Sequence, residues 1–140
     1  MTDKGKLLTI NHAAVIVLTV VYQVIMMAWF MLFAEVWMEL QGFSEEDLAD
    51  ASALPYVIAF VSALIMNYVL AWSFIRMGVK SGVDGLKTGF ILGFGLVALQ
   101  LVTQYSFSLK PFALALIDAG GLLLVFLVSG YVLGSWKKFR

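Results

Sequence analysis

The chain has 140 residues, 62% of them hydrophobic and 13% charged, with a mean hydropathy of +0.97 and a formal net charge of zero. A soluble domain is roughly 45–50% apolar and about 25% charged. A chain this short has too little polar surface to hide that apolar excess from water, so lipid is its natural solvent. The absence of cysteine excludes disulfides, thiolate nucleophiles and cysteine-held metals, and the single histidine, His12, makes neither a bis-histidine haem site nor a zinc site. No cofactor and no metal is expected. No Ser-His-Asp set, phosphate loop or paired carboxylates occur, so the chain is not expected to be an enzyme. The basic residues flank apolar stretches rather than forming a patch, which argues against nucleic acid as a partner.

A membrane-spanning helix needs about 20 mainly apolar residues. Four stretches qualify: Ile10 to Phe33, Tyr56 to Ile75, Leu86 to Phe107, and Phe112 to Trp136. The first is too long for a signal-peptide core and ends in Trp29-Phe30-Met31-Leu32-Phe33 rather than a small-residue cleavage site, so it reads as a retained helix. The expected fold is an all-α integral membrane protein, one domain over residues 1–140, in the form of a four-helix transmembrane bundle. Orientation follows the basic residues. Lys4, Lys6, Arg76, Lys80, Lys87, Lys137, Lys138 and Arg140 are eight of the nine, and an even number of spans puts them on one side, leaving Lys110 on the other. The first connection instead holds Glu35, Glu39, Glu45, Glu46, Asp47 and Asp50. Both termini are therefore expected in the cytoplasm, with the chain multi-pass in a bacterial inner membrane.

In that first connection Ala34 to Leu40 continues the helical pattern beyond the first span, and Gly42 suits a helix-ending C′ position. Ser44-Glu45-Glu46-Asp47 has the form of a cap followed by acids at a positive helix end, so a short external helix is expected from Glu45 to Ala53. Pro55 then opens the second span. The acidic run reads as a solvated, capped helix, with cation binding as the alternative. Residues Met77 to Gly85 form a loop rich in Gly and Lys, and Ser106 to Pro111 a tight hairpin. Trp29, Trp37, Tyr56, Trp72, Tyr105, Tyr131 and Trp136 lie near span ends, as interfacial anchors do. His12, after Asn11 at the start of the first span, reads as a helix-start or headgroup contact, and the scattered methionines as packing.

Gly85, Gly89 and Gly93 form two overlapping GxxxG patterns, and Gly130 and Gly134 another, with Gly120-Gly121 above them. Glycine stripes let helix backbones approach in lipid. Contact within one bundle and a homodimer seam are the two readings.

Polar groups at membrane depth are few: Gln23, Ser62, Asn67, Gln100, Thr103, Gln104 and Asp118. Gln100 and Gln104 are one helical turn apart with Thr103 beside them, giving the third span a polar face. At about 1.5 Å per residue Gln100 and Asp118 lie roughly 10 Å, and Gln23 and Asn67 roughly 15 Å, below the same surface. All four helices thus offer a polar group to one shared pocket. Asp118 is the only acid in the expected spans and has no Lys or Arg at its depth. Desolvation is expected to keep it protonated, either donating to Gln100, Gln104 or Asn67 or loading and releasing a proton or cation.

The order of short motifs resembles a family of small bacterial membrane proteins known as domain of unknown function 1761. The resemblance runs from Ile10-Asn11 with Ala14-Val15 through Ala28-Trp29-Phe30, Leu32-Phe33 and Val36-Trp37-Met38. It continues through Gly42-Phe43-Ser44-Glu45-Glu46-Asp47-Leu48, Gly85-Leu86-Lys87-Thr88-Gly89-Phe90 and Thr103-Gln104-Tyr105-Ser106-Phe107. Lys110-Pro111, Ile117-Asp118-Ala119-Gly120, Gly130 and Gly134-Ser135-Trp136 complete it. Gln104 stands where the family usually carries Asn, and Gly121 where an aromatic often follows Gly120. The resemblance implies four spans and no established activity. Two roles compete. One is a homo-oligomeric transporter or channel for a small solute or ion, using the polar cluster. The other is an accessory or assembly subunit of a larger membrane complex. The absence of an acid within the first span sets the chain apart from the small multidrug transporters.

Overall fold

The computed structural model describes residues 2–3, 6–49 and 52–140. Lys4 and Asp50, counted above among the sorted charges, lie outside them. The first long helix, α1 (His12–Leu32), starts where the Asn11 side chain accepts the Ala14 N–H at 3.3 Å. It does not run on into the acidic connection. Phe33 leaves the helical region (φ −107°, ψ 12°), and a separate short helix, α2 (Ala34–Gln41), begins at once. Along α2, Ala34, Trp37, Met38 and Gln41 turn inward while Glu35, Val36 and Glu39 are exposed, so this helix lies as an amphipathic cover with one face on the bundle. Gly42 ends it in the left-handed conformation (φ 74°), with Phe43 N–H reaching back to the Met38 carbonyl at 3.0 Å.

Ser44 caps α3 (Glu45–Ala49): Asp47 N–H donates to the Ser44 hydroxyl at 3.3 Å, and Ser44 N–H donates to Asp47 Oδ2 at 2.8 Å. The helix expected to run to Ala53 is shorter, because Ser52 and Ala53 are not helical; the Ser52 hydroxyl instead accepts the Leu54 N–H at 3.0 Å. Asp50 and Ala51 lie outside the described residues. The second long helix, α4 (Leu54–Met77), carries Pro55 in its first turn and ends at Gly78 (φ 69°). There Val79 N–H returns to the Phe74 carbonyl at 3.1 Å and both side chains are buried.

The third long helix occupies Gly82–Phe107 and is interrupted in its middle. It runs as α5 (Gly82–Leu92), a π-helical turn (Gly93–Ala98) and α6 (Leu99–Phe107). It starts four residues before the expected Leu86 because Ser81 caps it, accepting the Asp84 N–H at 3.1 Å. The fourth, α7, spans Phe112–Ser135. Among the described residues, four helices are thus long and apolar enough to cross a membrane. Much of their large apolar surface faces outward, including Ile16, Val24, Met31, Ile65, Ile91 and Leu116, a surface that water does not tolerate.

A small ribbon not foreseen in the apolar pattern ties the termini together. Strand β1 (Thr2–Asp3) pairs with β2 (Lys6–Thr9), and β2 pairs antiparallel with β3 (Lys138–Phe139). Leu7 and Arg140 exchange both backbone hydrogen bonds at 2.9 Å. Both termini therefore sit at one end of the bundle, with the loop around Lys80, and the acidic connection sits at the other.

The core lies between α1, α4 and α7 toward the termini end, where Ala14, Val15, Leu18, Leu70, Ala71, Phe74, Phe126 and Leu133 cluster. The closest pair is α5 against α7. A Cβ on Gly85 would collide with the Gly130 carbonyl oxygen, and one on Gly130 with that of Gly85. Gly89 faces the Phe126 carbonyl in the same way, and Gly134 that of Ser81. Only glycine permits this backbone-to-backbone approach. The stripe is consequently occupied within the chain.

Candidate functional site

The geometry of the site is set by the π turn. From Gly85, Gly89 and Gly93, an uninterrupted helix would place Gln100 two turns on and Gln104 three turns on along the same inward face. The π segment closes one hydrogen bond a residue too far, Leu99 N–H to the Phe94 carbonyl. Its extra residue rotates everything after it by about 100°. The inward positions become Ala98, Leu101, Val102 and Tyr105, while Gln100, Thr103 and Gln104 are exposed on the outer face. Thr103 hydroxyl donates back to the Leu99 carbonyl at 2.8 Å, and neither glutamine side chain is hydrogen-bonded to another described residue.

Tyr105 takes the place the glutamines would have held. Its hydroxyl donates to Asp118 Oδ2 at 2.7 Å, and the Trp37 indole N–H donates to Asp118 Oδ1 at 3.0 Å. The expected partners Gln100, Gln104 and Asn67 are therefore replaced by two aromatic donors. Depth, which had suggested Gln100, carries no information about azimuth. Asp118 itself is half-buried in the second turn of α7. Because an indole N–H only donates, Oδ1 is an acceptor whichever protonation state the carboxyl adopts.

Three further contacts hold this seat. Trp29 packs against the glycine pair: a Cβ on Gly120 would come within 2.9 Å of its Cζ2, and one on Gly121 within 2.8 Å of its Cδ1. Its N–H donates to the Ile117 carbonyl at 2.8 Å, one residue before the acid. Trp37 is edge-on to Phe30 at 5.5 Å between ring centroids and tilted against Phe43 at 5.9 Å, which anchors α2 over the bundle end. On the far side, Leu109 adopts a left-handed φ of 55°, and Lys110 N–H folds back to the Tyr105 carbonyl at 3.0 Å. That turn lays the Lys110 ammonium 4.9 Å above the Tyr105 ring and 3.5 Å from the Gln41 side-chain oxygen. Asp118, Tyr105, Trp37, Lys110 and Gln41 thus form one connected group at the acidic end.

The remaining polar residues do not join it. Asn67 is fully buried; its amide donates to the Ala63 carbonyl at 3.0 Å and its Oδ1 is unpaired among the described residues. Gln23 Nε2 is likewise buried without a described partner. His12 sits at the termini end, with Nδ1 3.0 Å from the Tyr68 hydroxyl. No group of three or more His, Asp or Glu poised for a metal occurs among the described residues. Tyr105, Trp37 and Trp29 were read as interfacial anchors, and their donor roles escaped the sequence. The available signal was the phase of the apolar residues after Gly93, where Leu101, Val102 and Tyr105 are one residue out of step with the glycine stripe.

The chain belongs to a family: the family model described as "Protein of unknown function (DUF1761)" matches residues 13–134. No curated protein and no solved structure matches it significantly.

Proposed function

We propose that this member of a family of unknown function spans a bacterial cytoplasmic membrane with both termini in the cytoplasm, and passes a small polar solute or a cation that meets Asp118. The observation that carries this reading is the seat of Asp118. It is the one acid beyond the first turn of the four long helices, and its oxygens are held by donors from two other elements. One donor, Trp37, belongs to α2, which is set off from its neighbours by the break at Phe33 and the left-handed Gly42. A carboxylate covered by a short, separately jointed helix suits a gate. The orientation is supported by the termini lying at one end with Arg76, Lys80, Lys87, Lys137, Lys138 and Arg140, and the acidic connection, with its helix α3 on the external side, at the other. Two hollows open at the termini end, one of about 30 Å³ bordered by Ile10, Ala71, Phe74, Val79 and Trp136 and one of about 280 Å³ bordered by Thr9, His12, Lys138 and Phe139, and neither is bordered by Asp118. The path therefore lies between copies, in a non-enzymatic homo-oligomer.

Solid-supported-membrane electrophysiology on proteoliposomes tests this. Wild type is expected to give currents with one of a panel of cations or small charged solutes. Asp118→Asn, which keeps an acceptor for Trp37, is expected to lose at least about tenfold in current, the scale of one lost charge contact. Wild-type traces matching empty liposomes across the panel would sink the passage of cations and charged solutes. The second reading, an accessory subunit, draws on the exposed polar face of α6, onto which another membrane protein would pack.

A further inference from the structure

The third long helix has two unlike faces. Its α5 face is filled by the backbone of α7, whereas the α6 face turned outward by the π segment has no occupant. It carries Gln100, Thr103 and Gln104, flanked by Leu96 at 68% and Phe107 at 87% exposure. At Gly95 an added Cβ would meet nothing within 4 Å, so a neighbouring backbone has room to come close. Gln104 is within a turn of the helix end and its amide reaches headgroups. Gln100 is seven residues from Phe107, roughly 10 Å deep, beyond the reach of its short side chain. An unpaired amide at that depth in hydrocarbon is costly, and such groups are satisfied across helix–helix contacts.

We infer that the Gln100–Gln104 face is the seam between two copies of this chain, related by a two-fold axis along the membrane normal. The inference rests on the membrane-spanning orientation proposed above. Because every copy inserts with the same orientation, a two-fold axis brings each residue opposite its own kind at its own depth. A carboxamide is self-complementary, since one group carries both donor and acceptor, so Gln100 of each copy satisfies the other reciprocally. A foreign partner has no reason to place a matching amide at this depth. In this dimer Thr103 lies near the axis, and Asp118 lies behind Tyr105 in each copy.

Cysteine cross-linking decides it, because the chain carries no cysteine of its own. In native membranes at low expression, Thr103→Cys is expected to oxidise to a species of twice the monomer mass. Ile65→Cys, 57% exposed on α4, is expected to stay monomeric. Leu96→Cys repeats the measurement should Thr103→Cys fail to accumulate. Adding Gln100→Leu and Gln104→Leu is expected to lower the cross-linked fraction about fivefold, the scale of one interhelical polar contact. An adduct of a different mass overturns the seam in favour of a foreign partner, and a yield no higher than that of Ile65→Cys overturns it outright. The outcome is separable from the transport reading. A cross-linked dimer without Asp118-dependent current removes transport alone, and current without the cross-link removes the seam alone.

Discussion

The two ends of this bundle are held together by opposite means. Toward the termini, α5 and α7 meet through backbone, with Gly85, Gly89, Gly130 and Gly134 so close that an added methyl strikes a carbonyl oxygen. Toward the acidic end the helices stand apart, and indole and phenol rings fill the gap: Trp29 against Gly120 and Gly121, and Trp37 and Tyr105 on Asp118. The same residue type therefore does different work in the two halves of α7. Gly130 and Gly134 admit a backbone, and Gly120 and Gly121 admit a ring. One end is rigid because nothing can be inserted; the other depends on three large side chains that must all be present. Segments that move without unfolding the rest belong at the second end, where α2 is attached by side chains.

That contrast can be broken in order of expected effect. Trp29→Ala removes the ring between α1 and α7 and leaves the Ile117 carbonyl without its donor, so a loss of about 3 kcal/mol is expected in a reversible unfolding titration in detergent micelles. A cost under a third of that would mean the acidic end is not ring-packed. Gly130→Ala is expected to cost about 2 kcal/mol, since the obstacle is the Gly85 backbone and cannot turn aside. Gly120→Ala meets only the edge of an indole and is expected to cost less; equal penalties would erase the distinction drawn here. Trp37→Phe keeps the ring and deletes its N–H, with an expected loss of about 1 kcal/mol and faster amide exchange confined to α2. Exchange rising equally in α5 would contradict an independently jointed α2.

The smallest effect concerns the cap of α3. The Ser44 hydroxyl first, and the Ser44 N–H second, hold the Asp47 carboxyl below its usual 3.8, against a weaker effect of burial. A depressed folded value means the capping contact is fully present above 3.8 and is lost as pH falls through the lower, folded midpoint. Carboxyl-carbon NMR should show Asp47 titrating below 3.8, and Ser44→Ala should raise the midpoint toward it. An unchanged midpoint would remove Ser44 as the cause.

Much of the frame was open to reading. Length and hydropathy of the apolar runs mark four long helices, and Gly42, Ser44, Pro55 and Gly78 sit at helix ends for local reasons of φ and hydrogen bonding. Those properties belong to a few neighbouring residues and need no partner. The break at Phe33 was not legible, because Phe33 and Ala34 are both acceptable inside a helix; α2 turns because Trp37 and Met38 find the bundle end to cover. Nor was the ribbon of Leu7 with Arg140, a pairing across the whole chain that no local pattern announces.

The site divides along the same line. Residue order and helical spacing were enough to show that Asp118 has no Lys or Arg at its expected depth, and that Gln100, Thr103 and Gln104 share one side of their helix. Which side that is depends on a single extra residue in the turn between Gly93 and Ala98, favoured where the glycines of α5 must follow α7 and the Tyr105 ring of α6 must reach Asp118. Hydropathy reports depth, a one-dimensional quantity the sequence carries residue by residue. Azimuth is set by the phase of the hydrogen-bond ladder, and only packing against a neighbouring helix decides where that phase slips.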